Sequence, residues 1–170
     1  VWAVYPTYDI YTATPDGKNI KNLTNSPGYD AEATISPDGK KIVFTSERDG
    51  DLDLYSMDLN GKNVKRLTDA IGYDGGAFFS PDSKQIVYRR SAQETPEAIA
   101  KYKDLLAHHL VVPIVFEIWV MNADGSNRTL LLPMTSDIWF LSTPRYGLRQ
   151  PGLAGASPTS PGHRKRRGRP

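Results

Sequence analysis

Asp49, Asp51 and Asp53 alternate in the stretch DGDLD, and a hard cation such as Ca2+ draws its oxygen ligands from loops of that kind. The spacing does not complete such a loop. Counted from Asp49, the sixth position, where the sharp turn needs glycine, holds Leu54, and the twelfth, where a bidentate glutamate belongs, holds Asn60. The stretch reads instead as a solvated hairpin loop with its acids turned outward. His108 and His109 are adjacent, whereas two ligands on one helical face need a separation of three or four, so they read as a helix C-terminal pair favoured by the dipole. The chain has no cysteine and no G-x-S-x-G, and Ser157 stands before a proline without a recognisable base to activate it. No glycine-rich loop joins a strand to a helix to cradle phosphate. Catalytic residues, metal ligands and cofactors are therefore all read as none.

The other chemically suggestive run is HRKRRGRP at 163–170. Within it Arg167, Gly168, Arg169 and Pro170 resemble the core of an AT-hook, in which an extended RGR inserts arginines into the minor groove of A·T-rich DNA. Four residues carry little specificity, and a basic disordered tail is the favoured reading of them, so nucleic acid is not the expected partner. Charge is divided along the chain. Residues 1–132 hold fourteen Lys and Arg against eighteen Asp and Glu, a balance of −4, while 133–170 hold seven against one, a balance of +6. Those last thirty-eight residues also contain six prolines and five glycines, a composition that favours disorder, and only DIWFLS at 137–142 reads as a strand. Such Arg/Gly/Pro-rich text is what GC-rich DNA yields out of frame, so a frame change or a fused terminus after Leu132 is expected.

The elements that would position any site announce themselves by repetition. SPDGKKIVFTS at 36–46 returns as SPDSKQIVYRRS at 80–91, forty-four residues on. YDIYTATPDGKNIKNLT at 8–24 returns as LDLYSMDLNGKNVKRLT at 52–68, and again as FEIWVMNADGSNRTLLL at 116–132 after twenty extra residues. A period of forty to fifty residues with strand-rich units points to propeller blades. Each unit reads as four short strands: AEATIS (31–36), KKIVFTS (40–46), LDLYSMD (52–58) and NVKRLT (63–68), then GAFFS (76–80) and KQIVYRR (84–90) in the next unit. The turns between them use residues suited to their backbone. Pro15-Asp16-Gly17, Pro37-Asp38-Gly39, Asn60-Gly61, Pro81-Asp82 and Asp124-Gly125 combine a preset φ, a side chain that bonds its own backbone and a glycine tolerant of positive φ.

Ile42 and Phe44 fall on one face of their strand and Val43 on the other, as suits a sheet covered on both sides. Tyr11, Tyr55 and Trp119 share one position of the repeat, which argues for packing within blades. The inserted stretch carries helix signals, with Thr95 as N-cap, Pro96 at the first position and an apolar stripe of Ile99, Tyr102, Leu105, Leu106 and Leu110, so a lid-like helix is expected at about 95–110.

Taken together, SPDGKKIVFTS, DLYSMDLNGKNVKRLT and EIWVMNADGSNR resemble the blade repeat of the TolB-type β-propeller family over about residues 8–132. The fold class expected is all-β: an incomplete propeller of four-stranded antiparallel blades, one inserted helix and a disordered basic tail. The units are a half blade at 8–24, a blade at 31–68, a blade at 75–132, and a tail at 133–170. The resemblance implies a non-catalytic scaffold with protein partners, set in the bacterial periplasm with the Tol–Pal system. The alternative it allows is a gating domain of a serine peptidase of the prolyl oligopeptidase or tricorn type. Open blade edges would favour self-association. No run of apolar residues is long enough for a membrane span, the longest being Leu110 to Phe116. The first residues lack the basic region of a signal peptide, and the absence of an initial methionine points to a truncated or processed start.

Overall fold

The computed structural model describes residues 1–112 and 115–133, so DIWFLS and the RGRP run lie outside the described residues. In chain order the elements are β1 (Trp2–Ala3), β2 (Tyr11–Thr12), β3 (Lys21–Asn22), β4 (Asp30–Ile35), β5 (Lys41–Ser46), β6 (Asp53–Asp58) and β7 (Lys65–Arg66). Then follow β8 (Gly72–Phe79), β9 (Gln85–Ala92), α1 (Pro96–Ala107), β10 (Leu110–Val111), β11 (Glu117–Asn122) and β12 (Thr129–Leu132). Two four-stranded antiparallel sheets result, β4-β5-β6-β7 and β8-β9-β11-β12, together with a hairpin β2-β3 and a separate pair β1-β10.

The sheets stack because the middle strands are apolar on both faces. Ile42 and Phe44 join Leu23, Tyr55 and Met57 on the side of the β2-β3 hairpin. Val43 joins Leu54, Leu67, Ala77, Ile86, Tyr88 and Met121 on the side of the second sheet. All twelve are buried, at roughly 1.5–3 kcal/mol for each large side chain removed from water. The repeated aromatic position does not behave alike in its three copies: Tyr55 is buried, Trp119 half-buried and Tyr11 exposed.

The strands differ in extent from their sequence pattern, for local reasons. β7 is shorter than NVKRLT at both ends: Asn63 adopts φ +54 ahead of it, and beyond it the Leu67 and Thr68 amides both turn to Leu54 O. β8 starts at Gly72, earlier than GAFFS, because Tyr73, Asp74 and Gly75 pair with Ser91, Arg90 and Arg89 ahead of a bulge. β9 runs on to Ala92 before the insertion begins. In α1 the Thr95 hydroxyl accepts from the Ala98 amide at 3.2 Å, the bond that satisfies a free N–H of the first turn. Tyr102 and Leu106 are buried, and Leu110, counted in the helical stripe, lies instead in β10. That strand pairs with β1, Trp2 against Val111 and Ala3 against Leu110, a contact between segments too short to signal themselves in the sequence.

Candidate functional site

The turn residues singled out in the sequence form two recurring devices. At Ser36–Lys41 the Ser36 hydroxyl donates to Asp38 at 2.7 Å, the Lys40 amide donates to the same carboxylate and the Lys41 amide to Ser36 Oγ. At Ser80–Gln85 the Ser80 hydroxyl donates to Asp82 at 2.6 Å, with the Lys84 and Gln85 amides bonded likewise. Pro37 and Pro81 occupy the same place in each. The second device is the outer turn, where Gly17, Gly61 and Gly125 donate their amides to Thr14, Asp58 and Asn122, with Asp16, Asn60 and Asp124 accepting from residues two further on. Pro15 precedes the first of these, and Gly39 closes the Ser36 turn. Neighbouring hydroxyls hold Asp16, Asp38, Asp82 and Asp124 below the usual carboxylate range. These acids are spent on their own turns.

The turns also grip the preceding blade. A Cβ on Gly61 would meet Leu23 O at 2.6 Å, and one on Gly125 would meet Leu67 O at 3.0 Å. Lys21 Nζ donates to Asn60 O at 3.4 Å and Lys65 Nζ to Asp124 O at 2.8 Å. Leu23 and Leu67, like Lys21 and Lys65, are forty-four residues apart.

A further clasp repeats in register and was not anticipated. Thr24 Oγ1 donates to Asp9 at 2.7 Å and accepts from the Ile10 amide; Thr68 Oγ1 donates to Asp53 at 3.2 Å and accepts from the Leu54 amide. The third copy has Glu117 with Leu132 in place of the threonine, and there Trp119 Nε1 donates to Glu117 at 2.8 Å. The signal was present in the sequence as D…LT repeated at one spacing. Burial pushes Asp53 up to about 6 despite its ion pair with Arg66. Asp9 is also pushed upward by burial, but bonds from Thr24 and Asn22 bring it below its ordinary value.

The acids of DGDLD do not all face solvent. Asp49 does, accepting from Tyr55 OH at 2.6 Å, but Asp51 and Asp53 are buried. Asp51 accepts from the Leu52 and Gly72 amides at 2.8 and 3.1 Å, and the Tyr102 hydroxyl of α1 lies 2.6 Å from its Oδ1 and 2.9 Å from Gly72 O. Desolvation raises Asp51 and drives Tyr102 far above the ordinary phenol range. The outward expectation fails because the insertion brings a phenol down onto the loop. Among the described residues no group of acids and histidines has the geometry to hold a metal ion. His108 caps α1 and its Nδ1 lies 2.7 Å from Asp104 O, while His109 turns the chain into β10 at φ +58.

Glu32, on β4, engages four residues at once. It adopts φ +56 at a bulge of β4, where the next blade has Gly76 at φ +58. Its Oε2 accepts from Thr45 Oγ1 at 3.0 Å, Tyr73 OH at 2.7 Å and the Gly76 amide at 2.9 Å, and Oε1 faces Arg89 Nη2 at 3.2 Å. A left-handed non-glycine persists where its surroundings hold it in place. Gly76, in register, was the clue in the sequence. Nearby, Asp74 is buried and pushed up to about 7 by desolvation, and the buried Tyr88 hydroxyl and Arg90 Nε find no partner.

Aromatic rings gather into two groups. Tyr5 stacks on Tyr8 at 4.8 Å and Tyr8 on Tyr29 at 6.0 Å. Trp2 stacks on Phe116 at 6.1 Å and meets Tyr73 edge-on at 6.4 Å, with Arg89 over Phe116 at 5.2 Å. Tyr5, Tyr8 and Trp2 are about half exposed.

Comparison with known proteins agrees with this geometry. A 34-residue segment is 50% identical to the Tol-Pal system protein TolB of Bordetella pertussis, covering 20% of this chain and 8% of that protein. A 42-residue segment is 45% identical to the protein TolB homolog of Chlorobium luteolum, covering 25% of this chain and 10% of that one. The chain thus matches a tenth or less of the length of these curated relatives. In structure it is similar to TolB from Acinetobacter baumannii, with a TM-score of 0.56 and 25% identity over 76% of this chain and 28% of that one. It also resembles a TolB of Agrobacterium tumefaciens, with a TM-score of 0.58 and 24% identity over 72% of this chain and 40% of that one. The family model of the TolB beta propeller domain matches residues 5–110, more than half of the sequence, and the chain belongs to that family.

Proposed function

We propose that the chain is a non-catalytic, protein-binding propeller module of a Tol–Pal-type envelope system in the bacterial periplasm. The half-exposed stack of Tyr5 and Tyr8 on Tyr29 carries the proposal. Tyrosine, with tryptophan and arginine, is among the residues that dominate binding energy at protein interfaces. Three engaged acids support it from the other side, since Glu32, Asp51 and Asp53 spend their oxygens on bonds within the fold. In organisation the module comprises the half blade 8–24, the blades 31–68 and 75–132 and the tail 133–170.

The test is calorimetric titration of the full chain with a purified Pal protein. Saturable heat is expected, with Tyr5→Ala and Tyr8→Ala together weakening binding at least tenfold at an unchanged circular dichroism spectrum. An unaltered affinity in the double variant, or no heat with the parent chain, overturns the assignment.

A further inference from the structure

We propose that the groove formed by β10, α1 and the start of β8 is a strand-addition site for an extended peptide, and that residues 1–4 occupy it in cis. The peptide it fits has an aromatic residue followed two positions later by an aliphatic one.

The acceptor edge is built independently of its occupant. Tyr102 anchors α1 to Asp51 and Gly72, and His109 at φ +58 turns the chain so that β10 leaves the helix in extended form. Among the described residues β10 pairs with no strand other than β1. Residues 2–3 add to it antiparallel, and the Val4 amide donates to His109 O at 2.8 Å. In an extended chain side chains two apart share a face. Val4, 4% exposed, enters the pocket of Leu52, Tyr73, Tyr102, Leu106 and Val111. Trp2 lies over Phe116 and Tyr73, yet stays 42% exposed. Main-chain bonds supply affinity and alternate side chains supply selectivity, which is how sheet edges recognise peptides.

The cis occupant is weakly held. It contributes a two-residue strand, Val1 and Ala3 lie exposed, and the register carried on to Pro6 would meet Ala107, the end of α1, where there is no strand to pair with. Val4 is the one side chain of residues 1–4 that is buried, and a segment anchored at a single point opens at low free energy. A competing strand can therefore take the site without unfolding either sheet. This holds whichever partner the tyrosine stack binds.

The experiment uses the full chain and a fluorescent peptide of sequence VWAVYPTY, followed by anisotropy. The variant Trp2→Gly with Val4→Ser should bind the peptide at least tenfold more tightly than the parent chain, whose own segment competes. Methylating the peptide nitrogen at its valine in position 4 should abolish that gain, because the donor to His109 O is lost. Equal binding by parent and variant, equal binding of the methylated or a scrambled peptide, or no binding by a folded variant overturns the proposal. Should the variant not fold, hydrogen exchange on the unaltered chain decides: the Val4 amide should exchange at least a hundredfold faster than that of Val43, and equal protection overturns it.

Discussion

A methyl group on Gly61 would sit 2.6 Å from the carbonyl oxygen of Leu23, so the outer turn of one blade is pressed directly onto the backbone of the unit before it. Gly17, its counterpart, has φ +76 and nothing within 4 Å of the same position. The two glycines separate backbone conformation from close approach. Gly17→Ala should cost about 1–2 kcal/mol, the left-handed penalty alone. Gly61→Ala should cost more than that by at least about 1 kcal/mol, because the neighbouring backbone must move as well. Urea unfolding of both variants measures the difference, and equal losses would show that the contact contributes nothing.

Stability should fall as pH rises through the neutral range. Asp53 and Asp74 are pushed up to about 6 and about 7, first of all by burial. An acid whose folded value is raised contributes stability that is complete below its ordinary range, near pH 4, and is lost as pH climbs through the folded value. The chain should therefore melt at a higher temperature at pH 5 than at pH 8. Asp74→Asn should flatten that slope and raise the melting temperature at pH 8. A parent chain that is more stable at pH 8 contradicts the desolvation of these two carboxylates.

Glu32→Ala should destabilise by about 3 kcal/mol, since it leaves the Tyr73 hydroxyl without its acceptor and Arg89 without its carboxylate, with only the Tyr73 oxygen still accepting from Nη2, in a half-buried setting. Part of the loss returns on replacing alanine by glycine, which is at ease at φ +56. Glu32→Gly should thus be more stable than Glu32→Ala in denaturant, although it removes the same bonds. The opposite order would remove the left-handed backbone as a factor.

The repeated clasp offers an internal comparison. Thr68 is buried and Thr24 half-buried, while each donates to an aspartate and accepts from a backbone amide. Thr68→Val should cost about 2–3 kcal/mol and Thr24→Val about 1 kcal/mol, the difference reflecting water's access to the groups left behind. Thermal unfolding ranks the two.

What the sequence discloses here follows from the range of each interaction. SPDG and SPDS are local devices, closed within six residues, and their repetition forty-four residues apart was enough to reveal stacked sheets. Helix α1 was legible from Thr95, Pro96 and its stripe for the same reason. The β1-β10 pair was not, because two-residue strands more than a hundred residues apart have no periodicity to detect. The inward turn of Asp51 depends on Tyr102, fifty-one positions away, and nothing in DGDLD itself distinguishes it from the exposed Asp49. Glu32 lay between these cases: alternation hides its backbone, and only the glycine at the matching position of the next repeat betrays it.

The grip of Gly61 on Leu23 recurs as Gly125 on Leu67, and in both it joins a unit solely to its predecessor. A link of that kind has direction but no arithmetic. Whole leaves can be duplicated or deleted in a gene without breaking it, since the new neighbours offer the same carbonyl to the same turn. The size of a ring assembled this way must be decided by the wedge angle between leaves, a property the link itself does not encode.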